Sequence, residues 1–457
     1  MFRCSEVAAE EAYITEVGCL RQGFCQEFFT LPSAHPQVLD PPSRGRAGAP
    51  EYRFTDHRRR RKSATHGDGQ SGNGKGYAPT PPGRGMERCF RGHRPGRRRR
   101  SVGVPFLMLA TAEPIAMSDS PTTSRIVLAS RPQGAPTAAN FRLEQAPLPP
   151  LADGEVLLRN RYLSLDPYMR GRMDEGPSYA APVAVGAVME GQTVAEVLQS
   201  KADDVSVGDL VLAAGGWQTH AVLPANALGR RLDPAGLPLS TALGVYGMPG
   251  FTAYSSLHEI ARLQPGETLV VAAASGPVGA TVAQLAKLQG ARVVAIAGGE
   301  AKRAYLQTLG VDVALDHRAD DFASQLRSAV PNGIDVYFEN VGGHVLDAVL
   351  PLLNDFARIP VCGTIATYND RGVEQPGPDR LPALFSQILR QRLTVRGFIV
   401  HDFNHLWPDF EREMPQWLRE GRIQYREDVV EGLANAPEAF FGLLKGRNFG
   451  KLVVKLD

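Results

Sequence analysis

Cysteine is scarce in most of this chain. Of the five cysteines, only Cys362 follows Met117, and the other four lie at or before Cys89. A single thiol can form neither an internal disulfide nor a zinc site of several cysteines, so the sequence after Met117 is typical of a reducing cytosol. The chain also lacks a run of ~18 apolar residues, the length that a membrane-spanning helix needs. These absences predict a cytoplasmic protein with no membrane span.

Basic charge is concentrated at the front of the chain. Residues 1–116 hold 19 Lys and Arg against 11 Asp and Glu, whereas residues 117–457 hold 31 against 37. Residues 40–104 are dense in Pro, Gly and Arg and show no helical or strand period, so we expect them to be disordered. Their arginine clusters could contact nucleic acid or acidic lipid, but no aromatic residues are interleaved as in an RNA-binding surface.

We therefore expect residues 1–116 to lie outside the fold and to have no nucleic-acid partner. They are either a solvated basic extension or upstream sequence translated from a start codon placed too early. The segment MSDSPTTSRIVLASRP, from Met117, reads as the natural beginning of a bacterial-type enzyme, because a first strand (RIVLA) follows almost at once. The rest of the chain is long enough for two domains.

A nucleotide-binding unit is predicted around the turn SGPVG. ETLVVAAA reads as a strand, ATVAQLAKLQG as a helix and ARVVAIAG as a second strand, all within about thirty residues. Gly276 and Gly279 occupy two positions of the dinucleotide fingerprint, and Ala274 replaces the first glycine. Such a βαβ unit binds a pyrophosphate at its helix N-terminus, although similar units also occur in proteins that bind no dinucleotide.

The end of the second strand lacks an acid. An acid there would bind the ribose hydroxyls of NAD and repel a 2′-phosphate. Gly298 and Gly299 stand in its place, and Lys302 can supply the positive charge that a 2′-phosphate needs. The sequence therefore favours NADP(H) over NAD(H). Glu300 is a nearby acid, and the alternative for Lys302 is an exposed lysine in the first helical turn.

Three more strands are predicted to complete a doubly wound sheet. They are VDVALDH, GIDVYFENVGG and the beginning of ARIPVCGTIATYN. Asn340, Gly342 and Tyr368 fall at carboxyl ends of these strands, where ligands bind in such sheets. His317 ends the third strand near the expected adenosine, or it is a solvated loop residue. The helix in FEREMPQWLREGRI places Phe410, Met414, Trp417 and Leu418 on one side, as expected for core packing.

Seven ordered segments carry a resemblance to a known family. They are SLDPYMRGRM, MPGFTAY, AAASGPVG, AGGEAKRAYLQTLG, YFENVGG, CGTIATYN and GRIQYREDVVEGLANAPEAFFGLLKGRNFGKLVVK. From about Arg125 onward the chain resembles the zinc-independent medium-chain dehydrogenase/reductases, most closely the prostaglandin reductase branch. A zinc site is not expected, since neither the ligands of a catalytic site nor four clustered cysteines are present.

The resemblance implies a reaction. NADPH gives a hydride to the β-carbon of an α,β-unsaturated aldehyde or ketone, and charge develops on the carbonyl oxygen. Tyr368 matches the tyrosine to which the family assigns a hydrogen bond to that oxygen; alternatively, Tyr368 only orders the nicotinamide ribose. A quinone or carbonyl reductase of the same superfamily is the nearest rival, and an NADP-binding regulatory protein without turnover is a rival of another class.

The resemblance also implies the remaining site residues and the architecture. A doubly wound (Rossmann) domain, residues 246–415, would be inserted in a mainly β GroES-like catalytic domain of residues 117–245 that residues 416–457 complete. A homodimer is expected. Asp166 and Pro167 belong to the early substrate loop, where Tyr168 and Arg170 would bind substrate, and His317 replaces the family's usual tyrosine. The implied cofactor-binding residues are Gly276, Pro277, Val278, Gly279, Gly298, Lys302, His317, Asn340 and Asn448.

Overall fold

The structure, a computed structural model, describes residues 122–233, 236–370 and 379–456. The expectations for residues 1–116 lie outside these residues. In chain order the strands are β1 (Thr122–Leu128), β2 (Phe141–Pro147), β3 (Glu155–Ser164), β4 (Thr193–Ser200), β5 (Leu210–Ala213), β6 (His220–Pro224), β7 (Thr268–Val271), β8 (Arg292–Ile296), β9 (Val313–Leu315), β10 (Ile334–Phe338), β11 (Leu353–Val361), β12 (Thr394–Gly397), β13 (Glu427–Glu431) and β14 (Lys451–Lys455).

The helices lie mostly between the later strands. They are α1 (Met169–Arg172), α2 (Met248–Ser256), α3 (Pro277–Leu288), α4 (Glu300–Thr308), α5 (Phe322–Ala329), α6 (Gly343–Val349), α7 (Leu381–Gln391), α8 (Trp407–Arg419) and α9 (Ala436–Leu444). Strands that alternate with helices are typical of parallel sheets, because each parallel connection needs a crossover.

One domain is built around an antiparallel sheet, and we call it the β domain. Its sheet has the order β13-β14-β3-β4-β5, with β6 also paired to β3, and β1 and β2 form a separate hairpin beside it. The late strand β14 pairs antiparallel with β3 and parallel with β13. The final segment of the chain therefore completes a sheet that the first segment began.

The second domain is built around a parallel sheet of order β12-β11-β10-β7-β8-β9, and we call it the α/β domain. The strand order reverses between β7 and β10, which is the point at which doubly wound sheets bind ligands. Helices cover both faces, and two apolar cores lie on either side of the sheet. The predicted fold class is confirmed: a doubly wound domain is inserted in a mainly β, GroES-like domain.

The elements differ in extent from those read from the sequence. The third predicted strand shortens to β9, and the fifth ends at Val361, so that a 3-10 turn (Ile365–Thr367) carries the chain to Tyr368. The amphipathic helix of the FEREMPQWLREGRI segment is confirmed as α8. Phe410 and Met414 are buried in the α/β core, and Trp417 and Leu418 pack against it.

Among the described residues, no helix is both long enough and apolar enough to cross a bilayer.

Candidate active site

The glycine turn lies between β7 and α3, at the carboxyl end of the parallel sheet. Gly276 is the N-cap residue of α3, and Pro277 begins the helix, where its missing N–H costs no hydrogen bond. A Cβ on Gly279 would lie 2.5 Å from the carbonyl oxygen of Ala273, so only glycine allows the helix to sit this close to the turn. The free N–H groups at the beginning of α3 therefore lie next to a narrow turn, as pyrophosphate binding requires.

Basic side chains surround Gly298 at the end of β8. A Cβ on Gly298 would lie 2.6 Å from Nε of Arg318 and 2.9 Å from Nε2 of His317. The glycine pair alone implied an empty space at the end of β8. This space is instead filled by the ends of two flexible basic side chains. Arg318 was missed by the sequence reasoning, although its position directly after His317 at the end of the third predicted strand could have identified it.

Lys302 reaches the same region from the first turn of α4. Its Nζ donates a hydrogen bond of 2.7 Å to the carbonyl oxygen of Gly446 in the C-terminal segment. Burial and the nearby Arg318 lower the pKa of Lys302, and Asp428 opposes this shift. The pKa of His317 is also lowered, first by burial and then by His344 and Arg318. A bound phosphate would offset the repulsion that these neighbouring basic groups exert on Lys302 and His317.

The ends of β10 and β11 bring the predicted nicotinamide-side residues together. Asn340 donates from Nδ2 to the carbonyl oxygen of Ala272 at 2.8 Å, which fixes its side chain against the glycine turn. A Cβ added to Gly363 would lie 3.7 Å from the carbonyl oxygen of Asn340 and 2.9 Å from the hydroxyl oxygen of Tyr368. Any larger residue at Gly363 would displace that hydroxyl. Gly342 caps α6 with a positive φ of 74°.

Tyr368 is partly buried at the mouth between the two domains. Burial is the main cause that raises its pKa, followed by Cys362, and a hydrogen bond with the backbone of Thr364 lowers it. Burial also raises the pKa of the Cys362 thiol to about 12. Both groups are therefore neutral at pH 7, and the phenol is a hydrogen-bond donor there.

Two further tyrosines, Tyr168 and Tyr179, lie near the early loop of the β domain. Burial and the charge of Asp166 raise the pKa of Tyr168 strongly. The guanidinium of Arg172 lies 5.7 Å from the ring centroid of Tyr168 and 4.5 Å from that of Tyr179. Tyr179 is exposed and lies close enough to interact electrostatically with Tyr368. Sequence reasoning missed Tyr179, because it stands in an irregular segment without a periodic pattern.

Arg170, which the family resemblance implies as a substrate residue, makes its hydrogen bonds within the protein. Its side chain is completely buried, and its guanidinium donates to Asn369, Asp174 and the carbonyl oxygen of Gly134. These bonds hold the guanidinium next to Asn369, the residue that follows Tyr368.

The C-terminal segment closes the cleft opposite the glycine turn. Lys451 is buried and donates to Oδ1 of Asp166 at 2.6 Å, which ties β14 to the early loop. Asn448 donates from Nδ2 to the carbonyl oxygen of Gly450 at 2.9 Å. A pocket opens between the turn and this segment, lined among others by Ser275, Gly276, Pro277, Arg426, Gly450 and Lys451. Val278, by contrast, packs against the α/β core.

These surroundings fit an NADP(H) molecule. A helix N-terminus beside a glycine turn suits the pyrophosphate, and the basic side chains around Gly298 suit a 2′-phosphate. Asp316, the acid that follows β9, accepts hydrogen bonds from the backbone N–H groups of Gly299 and Arg318. Across the described part of the chain, no group of three or more His, Cys, Asp or Glu side chains could hold a metal ion.

Comparison with known proteins identifies the family. Residues 124–230 match the N-terminal domain of oxidoreductase, and residues 277–418 match the zinc-binding dehydrogenase family. The NADPH-dependent curcumin reductase of Escherichia coli (strain K12) is 55% identical over 334 residues, which are 73% of this chain and 96% of that protein. This chain belongs to the medium-chain dehydrogenase/reductases, in their prostaglandin reductase branch.

Two further members of this superfamily support the assignment. Prostaglandin reductase 1 of Bos taurus is 42% identical over 70% of this chain and 95% of its own length. The crystal structure of CurA from Vibrio vulnificus in complex with NADPH has 53% sequence identity and a TM-score of 0.69, and the match covers 73% of this chain and 99% of CurA. The family that the seven sequence segments indicated is confirmed.

Proposed function

We propose that this protein is an NADPH-dependent reductase of the carbon–carbon double bond in α,β-unsaturated aldehydes and ketones. The observation that carries the proposal is the cluster at the ends of β10 and β11, where the neutral phenol of Tyr368 lies beside Gly363 and interacts electrostatically with Tyr179 of the β domain. The curcumin reductase and prostaglandin reductase relatives support the same class of reaction.

The coenzyme would be held by both domains. The turn around Gly276, Pro277 and Gly279 receives the pyrophosphate, with Val278 packing the first helical turn against the core. Lys302, His317 and Gly298, together with Arg318, receive the 2′-phosphate. Asn340 lies on the nicotinamide side and Asn448 closes the cleft from the C-terminal segment. When bound, NADPH supplies the hydride that the reduction requires.

Tyr368 would act on the substrate's carbonyl oxygen. Negative charge develops on this oxygen as the β-carbon is reduced, and a hydrogen bond aimed at it lowers the barrier. The raised pKa keeps the phenol protonated, so it can donate without a metal ion. Tyr168 and Tyr179 would line the approach to the substrate from the β domain.

The test is a Tyr368→Phe variant with Tyr162→Phe as matched control. Tyr162 packs beside a small core of the β domain and takes no part in the proposed site. We expect kcat with trans-2-alkenals and cyclic enones to fall about 10²-fold to 10³-fold for Tyr368→Phe, the usual cost of removing one oxyanion donor. The dissociation constant for NADPH should change little. Unchanged turnover would refute the donor role.

The same assay separates the rival functions. The loss of NADPH absorbance is followed with enals, enones and quinones, and then repeated with NADH. Faster turnover of quinones than of any enone would favour a quinone reductase. Stoichiometric NADPH binding without oxidation in any of these assays would favour a regulatory protein.

The division of the chain between the domains is also part of the proposal. Residues 117–245 and a C-terminal return form the catalytic domain around an inserted nucleotide-binding domain. Because α8 runs through residue 416 and packs on the α/β core, we place the return after Ile423 instead of at residue 416.

A homodimer would form through the edge of the parallel sheet. β12 is the outermost strand of the described sheet, and all four of its residues are exposed. On the neighbouring helix α7, Leu384 and Ile388 pack inward, whereas Leu381, Phe385 and Leu389 are 60%, 64% and 80% exposed. An exposed edge strand beside an apolar helix face suits pairing with a second copy about a two-fold axis.

Light scattering after size exclusion tests this surface. We expect the wild type to be a dimer and a Phe385→Glu, Leu389→Glu double variant to be a monomer. Leu143→Glu, at an exposed leucine of β2, is the control and should remain dimeric. A monomeric wild type would refute the dimer.

A further inference from the structure

Arg170 joins three separate segments of the chain. Its Nε donates to Oδ1 of Asn369 at 3.1 Å, its Nη1 to Oδ1 of Asp174 at 2.6 Å and its Nη2 to the carbonyl oxygen of Gly134 at 2.8 Å. The side chain is completely buried at the beginning of the β domain. A buried guanidinium is tolerated when a carboxylate offsets its charge and its N–H groups find acceptors, as they do here.

One of these segments carries Tyr368. Asn369 follows Tyr368 directly, and the bond from Arg170 to Asn369 spans 199 positions of the sequence. Within this turn the N–H of Tyr368 donates to the carbonyl oxygen of Ile365, and the N–H of Ala366 ties the turn to Val341 after β10. Arg170 therefore connects a turn that is anchored in the α/β domain to a buried point of the β domain.

We propose that Arg170 is a positioning residue for Tyr368. It holds Asn369, and through Asn369 it fixes the phenol at the distance from the β domain that the substrate's carbonyl oxygen requires. This inference rests on the proposed donor role of Tyr368. Arg170 would act through Asn369, whereas the family resemblance implied a direct contact with the substrate.

The physical reason lies in the geometry of catalysis. A donor stabilises developing charge only within hydrogen-bond reach, and a misplacement of about 1 Å can cost about 10²-fold in rate. Tyr368 stands on one domain and the early substrate loop on the other, so small domain movements change their separation. The planar fork of an arginine fixes distance and direction together, which a lysine at the same place cannot do.

Variants at both ends of the contact test the inference. For Asn369→Ala we expect kcat to fall about tenfold to a hundredfold, while the dissociation constant for NADPH stays within about twofold, because the nucleotide contacts lie elsewhere. Asn369→Asp keeps the acceptor oxygen and should restore most of kcat. Arg170→Lys should resemble Asn369→Ala; if Arg170→Lys fails to fold, Asn369→Ala still provides the test.

Arg358→Lys is the matched control. Arg358 is a partly buried arginine of β11 that bonds Glu267 and the carbonyl oxygen of Ala261, away from Tyr368. We expect its Tm to fall while kcat per folded molecule is unchanged. Equal loss of kcat in Arg358→Lys and Arg170→Lys would mean that Arg170 only stabilises the fold.

A double-mutant cycle with Tyr368→Phe separates this inference from the proposed function. If Arg170 acts through Tyr368, Asn369→Ala should have little further effect on kcat in the Tyr368→Phe background. If Asn369→Ala lowers kcat by the same factor in both backgrounds, the inference is refuted while the donor role stands. If Tyr368→Phe alone has no effect, the donor role fails and the inference with it.

Discussion

The hydroxyl of Tyr368 depends on the absence of a side chain at Gly363. An added Cβ there would lie 2.9 Å from the phenolic oxygen, closer than real carbon contacts allow. The proposed donor is therefore placed by a small residue at the end of β11 as well as by its own turn. At the residue scale, the position of the hydroxyl therefore depends on the space that Gly363 leaves as well as on Tyr368 itself.

The pH dependence of turnover follows from the state of this phenol. Because burial raises the pKa of Tyr368 above its ordinary value of 10.0, the group stays largely protonated up to about pH 9. We expect the ionisation of Tyr368 to cause no loss of kcat between about pH 7 and about pH 9, as measured by NADPH oxidation at saturating enone. A decline with an apparent pKa below 10 that Tyr368→Phe abolishes would contradict this prediction.

Coenzyme preference should depend on the cations beside Gly298. Arg318→Ala removes a charge next to Lys302, and a hydrogen bond to a charged group contributes about 1.5–3 kcal/mol. We therefore expect KM for NADPH to rise about tenfold to a hundredfold, and KM for NADH to change little. Lys302→Ala should act in the same direction. Steady-state kinetics with both coenzymes check this, with Arg327→Ala on the exposed face of α5 as control.

At the scale of elements, the turn and helix α3 form a single rigid unit. The turn contains Ala273 at a positive φ of 50°, a conformation that costs a residue other than glycine roughly 1–2 kcal/mol. The sequence reasoning noted the missing glycine at Ala274, but the left-handed residue is its neighbour. The close approach at Gly279 is the second constraint on this unit.

Substitution of Gly279 tests that unit. In Gly279→Ala the new Cβ would meet the backbone of Ala273 and Ala274, which cannot move away as a flexible side chain could. We expect the free energy of unfolding to fall by about 1–3 kcal/mol, the usual cost of overpacking, and NADPH binding to weaken. Thermal unfolding and coenzyme titration measure the two effects. Gly171→Ala, where an added Cβ meets nothing within 4 Å, is the control; equal losses in both variants would contradict this prediction.

The sequence predicted the elements whose pattern is strong. The strands β7 and β8 were identified because they are apolar along nearly their whole length. The helix α8 was identified because its apolar residues recur at helical spacing. Strand β12 was missed, because its sequence TVRG is short, exposed and polar. A pattern of burial cannot reveal an edge strand that buries nothing.

The site was predicted less completely than the fold. The glycine positions around the turn follow from local chain geometry, so sequence spacing identifies them. Arg170 bonds Asn369, 199 positions away, and the proximity of Arg318 to Gly298 depends on how β8 and β9 align. Contacts between distant segments are set by tertiary packing, which spacing in one sequence does not encode.

At the scale of the whole molecule, the described residues already contain both sheets and all the proposed site residues. Removal of residues 1–116 should therefore leave kcat and KM for NADPH unchanged, as measured by enone reduction. Removal of residues 1–128 is the matched control. It deletes β1 and with it the buried side chains of Ile126 and Leu128, so we expect loss of folded protein. Reduced activity in the shorter deletion would show that the basic extension takes part in function.

The position of β14 between β13 and β3 has a consequence for synthesis on the ribosome. The Nζ of Lys451 donates a hydrogen bond to the carbonyl oxygen of Leu165, 286 positions earlier. The antiparallel sheet therefore stays incomplete until the entire parallel sheet has been translated. A nonsense codon soon after the codon for Ile423 would release a chain that contains every strand of the parallel sheet. This chain would lack β13 and β14, so its antiparallel sheet would remain incomplete.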